Sequence, residues 1–228
     1  MRLSVTLLLF VITASVTMSA QLGFAGLDGL PTALERAQDS IGADAQLVLL
    51  GTGGGIEGTP IPIEFDIDDG SAPVWAYVFR SESEDAIGTV LVVRLFGFQA
   101  FLLGDTPFPL PQVLQQVTTD GDYANSPKMV AQLKTNATFQ QYQSDRPDAS
   151  PSLVILGQLL GQDVPLPDGF PLAAPIWTVT YTGDGDAAMT CFVASESGQT
   201  FCLRSNQSTS VAEDAATGTT GAAALWLQ

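Results

Sequence analysis

No histidine occurs in the 228 residues, and that absence removes much of enzymology. Histidine is the commonest general base near neutral pH and the commonest nitrogen ligand for transition metals. Histidine-based triads and histidine zinc sites are therefore excluded. Positive charge is nearly as scarce: 8 Lys and Arg stand against 24 Asp and Glu, a formal net charge of −16. Long-range repulsion from so acidic a chain disfavours phosphate backbones and anionic lipid, so neither nucleic acid nor a membrane surface is an expected partner. Only two cysteines are present. Ten residues lie between them, not the two of the Cys-x-x-Cys spacing of redox proteins. Beyond the first twenty residues, no apolar run reaches the roughly 18 residues that a membrane helix needs.

What is present begins with an export pattern. Met1 and Arg2 give a positive start, residues 3–16 an apolar stretch too short to span a bilayer, and residues 17–20 a small-residue approach to a cleavage point. Residues 1–20 therefore read as a signal peptide and the mature chain as periplasmic or extracellular. No cysteine follows the apolar stretch to carry a lipid anchor. Removal of Arg2 leaves seven cations (8 − 1) against 24 acids.

The mature part reads as built twice. Ala72-Pro73-Val74-Trp75-Ala76-Tyr77-Val78-Phe79 is echoed by Ala174-Pro175-Ile176-Trp177-Thr178-Val179-Thr180-Tyr181. In each, a proline ends a loop and a β-branched and aromatic run suits a pleated, half-buried surface. Leu47-Val48-Leu49-Leu50-Gly51 is repeated as Leu153-Val154-Ile155-Leu156-Gly157, and Gln99-Ala100-Phe101-Leu102-Leu103 as Gln199-Thr200-Phe201-Cys202-Leu203. Three echoes in one order, with loops of different length between them, mean duplication. Strand side chains alternate faces, so Trp75 and Trp177, Leu47 and Leu153, and Phe101 and Phe201 are each expected on equivalent sides.

Apolar residues at 33, 34, 37 and 41 after Pro31 predict a first helix. Ser126-Pro127 opens a second, longer one through Met129, Val130, Leu133, Ala137 and Tyr142. Alternation at Ile61, Ile63, Phe65 and Ile67 suggests an added edge strand. The fold class is thus α+β: two tandem repeats, each a helix packed on an antiparallel β-meander. The expected organisation is signal 1–20, first repeat 21–106, linker 107–125, second repeat 126–205 and flexible tail 206–228. Whether the repeats share one sheet is left open.

Cys191 and Cys202 flank an alternating strand, a turn and a second strand. A turn centred between Glu196 and Ser197 sets Phe192 opposite Phe201 and Cys191 opposite Cys202, close enough for a disulfide in an oxidising compartment. Phe192-Val193-Ala194-Ser195-Glu196-Ser197-Gly198-Gln199, following an aromatic strand, resembles the closing hairpin of PepSY domains: apolar, Asp, small, any, Thr, Gly. Ala194 stands where that family usually has Asp, and the first unit departs further, with Leu95-Phe96-Gly97. The resemblance covers mainly residues 174–204. It implies a secreted bacterial accessory domain of cystatin-like shape, sometimes linked to peptidase inhibition, and supplies no catalytic residues.

Candidate chemistry is thin. Glu64, Asp66, Asp68 and Asp69 offer hard oxygen ligands of the kind calcium takes, but Asp69 and Trp75 occupy the places of the loop glycine and the bidentate glutamate. A solvated acidic loop is the plainer expectation. Gly183-Asp184-Gly185-Asp186 reads as a turn. Trp75 and Trp177 are either the core of their repeats or exposed stacking platforms, and the alternating strands favour core. No catalytic residue, metal ligand or cofactor site is assigned. The expected function is a non-catalytic binding or inhibitory protein with a protein or peptide partner; the alternative is an exported hydrolase using paired carboxylates.

Overall fold

A computed structural model describes residues 23–53, 63–103, 115–158, 166–183 and 188–204. The signal stretch, the C-terminal tail and most of the Gly183 to Asp186 turn lie outside them. In chain order the elements are β1 (Phe24–Ala25), α1 (Leu30–Ser40), β2 (Gln46–Gly53), β3 (Ser71–Ala72), β4 (Val74–Ser81), β5 (Ala86–Arg94) and β6 (Phe98–Leu103). There follow α2 (Ser126–Leu133), α3 (Ala137–Asp145), β7 (Leu153–Gly157), β8 (Ile176–Tyr181), β9 (Met189–Ala194) and β10 (Thr200–Arg204). The protein is mixed α+β with a large antiparallel sheet.

Both halves of the chain feed that one sheet. Its order is β10-β9-β8-β7-β2-β4-β5-β6, and β1 and β3 form a separate two-stranded ribbon. The join is β2 against β7, antiparallel, with Leu50 opposite Leu156 and Gly51 opposite Ile155. The question left open by the sequence is thereby answered: the strands of residues 46–103 and 153–204 are continuous. Their meanders run outward from the join in opposite directions.

Helices α1, α2 and α3 lie on one face, α1 over β4 to β6, α2 over β9 and α3 over β10. Ala33 and Ala37 are the fully buried residues of α1, small enough to let its backbone come close to the sheet. The main core fills this interface: Leu50, Trp75, Tyr77, Phe79, Val90, Val92, Leu156, Trp177, Val179, Tyr181 and Val193 from the strands meet Met129, Leu133, Phe139 and Tyr142 from α2 and α3. Two smaller clusters occupy the opposite face, one of Val48, Leu49, Val78 and Ile155, the other of Phe170, Ile176, Phe192 and Ala194.

The single long helix expected after Ser126 is two helices. Asn136 ends the run by capping α3, its side-chain oxygen accepting from the Phe139 amide at 3.1 Å. Asparagine offers the backbone that alternative to helical bonding. The alternation at 61–67 yields no strand over its described part, only a bridge between Asp66 and Ser71; Ile63 and Phe65 are buried as loop residues. Leu47 and Leu153 also depart from expectation, for Leu47 joins the helix-side core and Leu153 packs on the opposite face. The pairing of β2 with β4 shifts between Leu47 and Leu49, leaving Val48 as an extra residue. Such a bulge reverses the facing of everything before it.

Trp75 and Trp177 are both fully buried, with ring centroids 6.1 Å apart and edge to face. Each indole N–H donates to a backbone carbonyl just ahead of a helix, Trp75 to Phe24 at 2.8 Å and Trp177 to Tyr123 at 3.0 Å. Gly26 sits over the pair, where an added Cβ would lie 3.2–3.3 Å from Leu50 and both indoles. Buried Ser126 then ties the approaches to α1 and α2 together: its Oγ accepts from Gly26 N at 2.9 Å and donates to Gly70 O at 2.6 Å. Asn125 Oδ1 accepts from the amides of Leu27 and Ser126.

Candidate functional site

The acidic loop spends its carboxylates on its own folding. Asp66 Oδ1 accepts from Asp68 N at 2.7 Å and Asp69 Oδ1 from Ser71 N at 2.8 Å. Asp68 pairs with Lys134 at 2.9 Å, and Glu64 accepts from Ser150 Oγ. Among the described residues no three His, Cys, Asp or Glu side chains converge as metal ligands. Asp44 is likewise structural. It accepts from the hydroxyls of Ser81 and Ser83 and the amides of Glu82 and Ser83, and these bonds, the Ser81 hydroxyl first, hold its carboxyl far below the usual range. The β4–β5 turn is pinned to the segment before β2.

A cavity of about 410 Å³ that bears on the alternative with paired carboxylates is lined by Tyr142, Asp145, Arg146, Pro147, Asp148, Ala149 and Thr182. Glycoside chemistry needs a carboxyl whose pKa is raised so that it can donate a proton. Asp145 moves the other way: the Gln141 side-chain amide and then Arg204 hydrogen-bond it and hold it low. Arg204 Nη1 donates to it at 3.1 Å while its guanidinium lies over the Tyr142 ring at 5.5 Å. This is a group that stays ionised and ties the end of β10 to α3.

The two cysteines form the disulfide, directly opposite each other in the β9–β10 ladder with Cα atoms 4.0 Å apart. Phe192 opposes Phe201, the register read from the sequence. Both half-cystines are buried, which suits a clamp on the sheet edge rather than a reactive thiol pair. The two tryptophans have no exposed face to stack on a ligand. Asn136 serves as a helix cap.

What remains exposed is the β5–β6 hairpin. Among the described residues the exposed large apolar side chains are Ile87, Leu95, Phe96, Phe101, Leu102 and Leu172, and all but Leu172 belong to this hairpin. Arg94 opposite Phe98 closes the ladder, leaving the tip of Leu95, Phe96 and Gly97. Phe96 stands wholly in solvent with a φ of 53°, where a bulky side chain is strained. Gly97 follows at φ 124°, open to a residue without Cβ. Leu102 pairs with Val90, which is buried on the helix side, so Phe101 projects from the other face. Apolar surface therefore shows on both faces of the edge strand.

Native edges are usually guarded by charge, proline or a covering element. The far edge is guarded: β10 ends in Arg204, is cross-linked to β9, and its Thr200 carbonyl is approached by the Asn136 side-chain amide at 3.5 Å. Strand β6, which among the described residues pairs with β5 alone, has neither a charged residue nor a proline along its length. Sequence reasoning assigned it to a meander and passed over its chemistry. The signal was there in Leu95 to Leu103, nine residues without a charge in a strongly acidic chain. No family model, no curated protein and no solved structure matches the chain.

Proposed function

We propose that the protein is an exported, non-catalytic binding or inhibitory protein of tandem PepSY-like type, whose protein or peptide partner docks by strand addition on the β5–β6 hairpin. The observation that carries the reading is the concentration of exposed apolar side chains on that edge. A helix or a flat surface would cover one face of β6 only. An added strand satisfies its outward backbone groups and places side chains beside Phe101 on one face and Leu102 on the other. Export is supported by the pattern of residues 1–20 and by the disulfide, which persists in an oxidising compartment. The tandem reading is supported by the order of helix, strand and meander in both halves, and by Leu50 lying opposite its counterpart Leu156.

The test is selection of linear peptides from a displayed library by the exported protein, with a Phe101→Lys variant as control. Extended peptides with alternating apolar residues should be enriched by the wild-type protein and lost by the variant, whose thermal melt should be unchanged. Enrichment of nothing above background, or turnover of a glycan or peptide panel by the purified protein, would overturn the reading.

A further inference from the structure

We infer that the strand added at β6 is the β6 of a second copy, so that two chains pair edge to edge into one continuous sheet. The inference rests on the docking surface assigned above and names its occupant. Three observations select the copy.

The first is charge. Two chains of net charge −16 repel over most of their surfaces. Leu95 to Leu103 is an uncharged stretch on the exposed hairpin, so two copies paired along it bring none of that stretch's side chains into charge repulsion. The second is symmetry. An antiparallel strand edge is complementary to itself under a two-fold axis perpendicular to the sheet, because each outward N–H and C=O meets its counterpart in reverse order. The molecule already contains such a contact: β2 and β7, with nearly identical cores, pair antiparallel with Leu50 opposite Leu156. The third is the placement of apolar groups. The perpendicular axis keeps equivalent faces together, so Phe101 would meet its mate directly or diagonally on one face, and Leu102 its mate on the helix side.

The pair is closed, two chains and no more, because the β10 edge is engaged at one end by the Asn136 side-chain amide on Thr200 O and at the other by the ion pair of Arg204 with Asp145. It is also weak, since a single strand–strand contact buries far less than a standard interface. Its salt dependence runs opposite to that of a contact held by ion pairs: screening of two like-charged bodies tightens it.

Sedimentation velocity across the micromolar range decides the matter. Wild-type protein should move from one-chain to two-chain mass with rising concentration, and at lower concentration when salt is raised. Phe101→Lys and Phe101→Glu should each stay single alone, through repulsion between mates, and should pair when mixed. A single-chain species at every concentration and salt would overturn the inference, as would pairing that neither variant weakens, or growth beyond two chains. A chain that stays single yet still selects extended peptides through Phe101 would sink the second copy as occupant while leaving the binding surface standing. Loss of both would sink the two readings together.

Discussion

Replacing Ser126 with alanine tests whether the junction above the tryptophans organises the fold. The hydroxyl is fully buried and links Gly26 N, at 2.9 Å, to Gly70 O, at 2.6 Å. Ser126→Ala removes a single oxygen and leaves both backbone groups in place, buried and without this partner. An unsatisfied buried group costs about 1–3 kcal/mol, so two give about 2–6 kcal/mol. Against a typical total of about 5–15 kcal/mol that is a large share. Urea unfolding should show a lower midpoint with unchanged slope, which separates lost stability from an altered unfolded state. Ser150→Ala is the control, because its exposed bond to Glu64 should be worth no more than about 0.5 kcal/mol. Gly70→Ala attacks the same junction by crowding: its φ is 78° and a Cβ would fall 2.7 Å from the Ser126 carbonyl. The two changes share one contact, so their costs should not add. A Ser126→Ala protein within about 0.5 kcal/mol of wild type would refute the account, since it would mean water or a relaxed backbone replaces the hydroxyl at little cost.

Trp75→Ala and Trp177→Ala should each cost about 3–5 kcal/mol by calorimetry, and the double variant less than the sum because the rings touch. Reducing the Cys191–Cys202 bridge, which closes a separation of 11 residues, should lower stability by about 3 kcal/mol, read from melts with and without reductant; intact mass should show no free thiol in exported protein. Burial raises the phenol pKa of Tyr77 and of Tyr181 well above the ordinary value, so stability should be full below about pH 10, where the unfolded phenols begin to ionise, and fall as pH rises toward the folded values. Asp44 works in the other direction: its folded pKa is depressed, so its contribution is present above about pH 4 and is lost as acid titrates through the folded value, read from the fluorescence of acid-titrated protein.

What was legible in the sequence was whatever depends on neighbours in the chain. The pairing of Cys191 with Cys202 follows from one turn and a period of two, and it holds residue for residue. The tryptophan strands were legible because a long β-branched and aromatic run has few other stable fates. The break at Asn136 was missed because apolar residues on its two sides keep helical spacing while the asparagine prefers to cap. The fusion through β2 and β7 was not legible, for both strands are apolar on either face and nothing local says which edge each will meet. The exposed edge was overlooked for a related reason: an uncharged strand reads as core, and only the sheet order shows that β6 is outermost.

The spacing of the echoes carries the last step. They lie 106, 102 and 100 residues apart (156 − 50, 177 − 75, 201 − 101), so the halves are slid against each other by differing amounts. Within the meanders the slides cancel: Trp75 opposes Val92 and Leu91 opposes Phe101, as Trp177 opposes Val193 and Phe192 opposes Phe201. At the inner strand they do not, because Leu50 opposes Tyr77 whereas Leu156 opposes Trp177. The offset there is two residues, and a slide of two leaves every side chain on its original face. That is why both tryptophans stay on the helix side, buried against each other, although the halves do not register identically. A slide of one would have turned a strand inside out. The single odd step in the inner strand is the extra residue at Val48, and it falls just where Leu47 and Leu153 part company. Even slips are free to accumulate in such a sheet, and an odd one survives only where a bulge absorbs it.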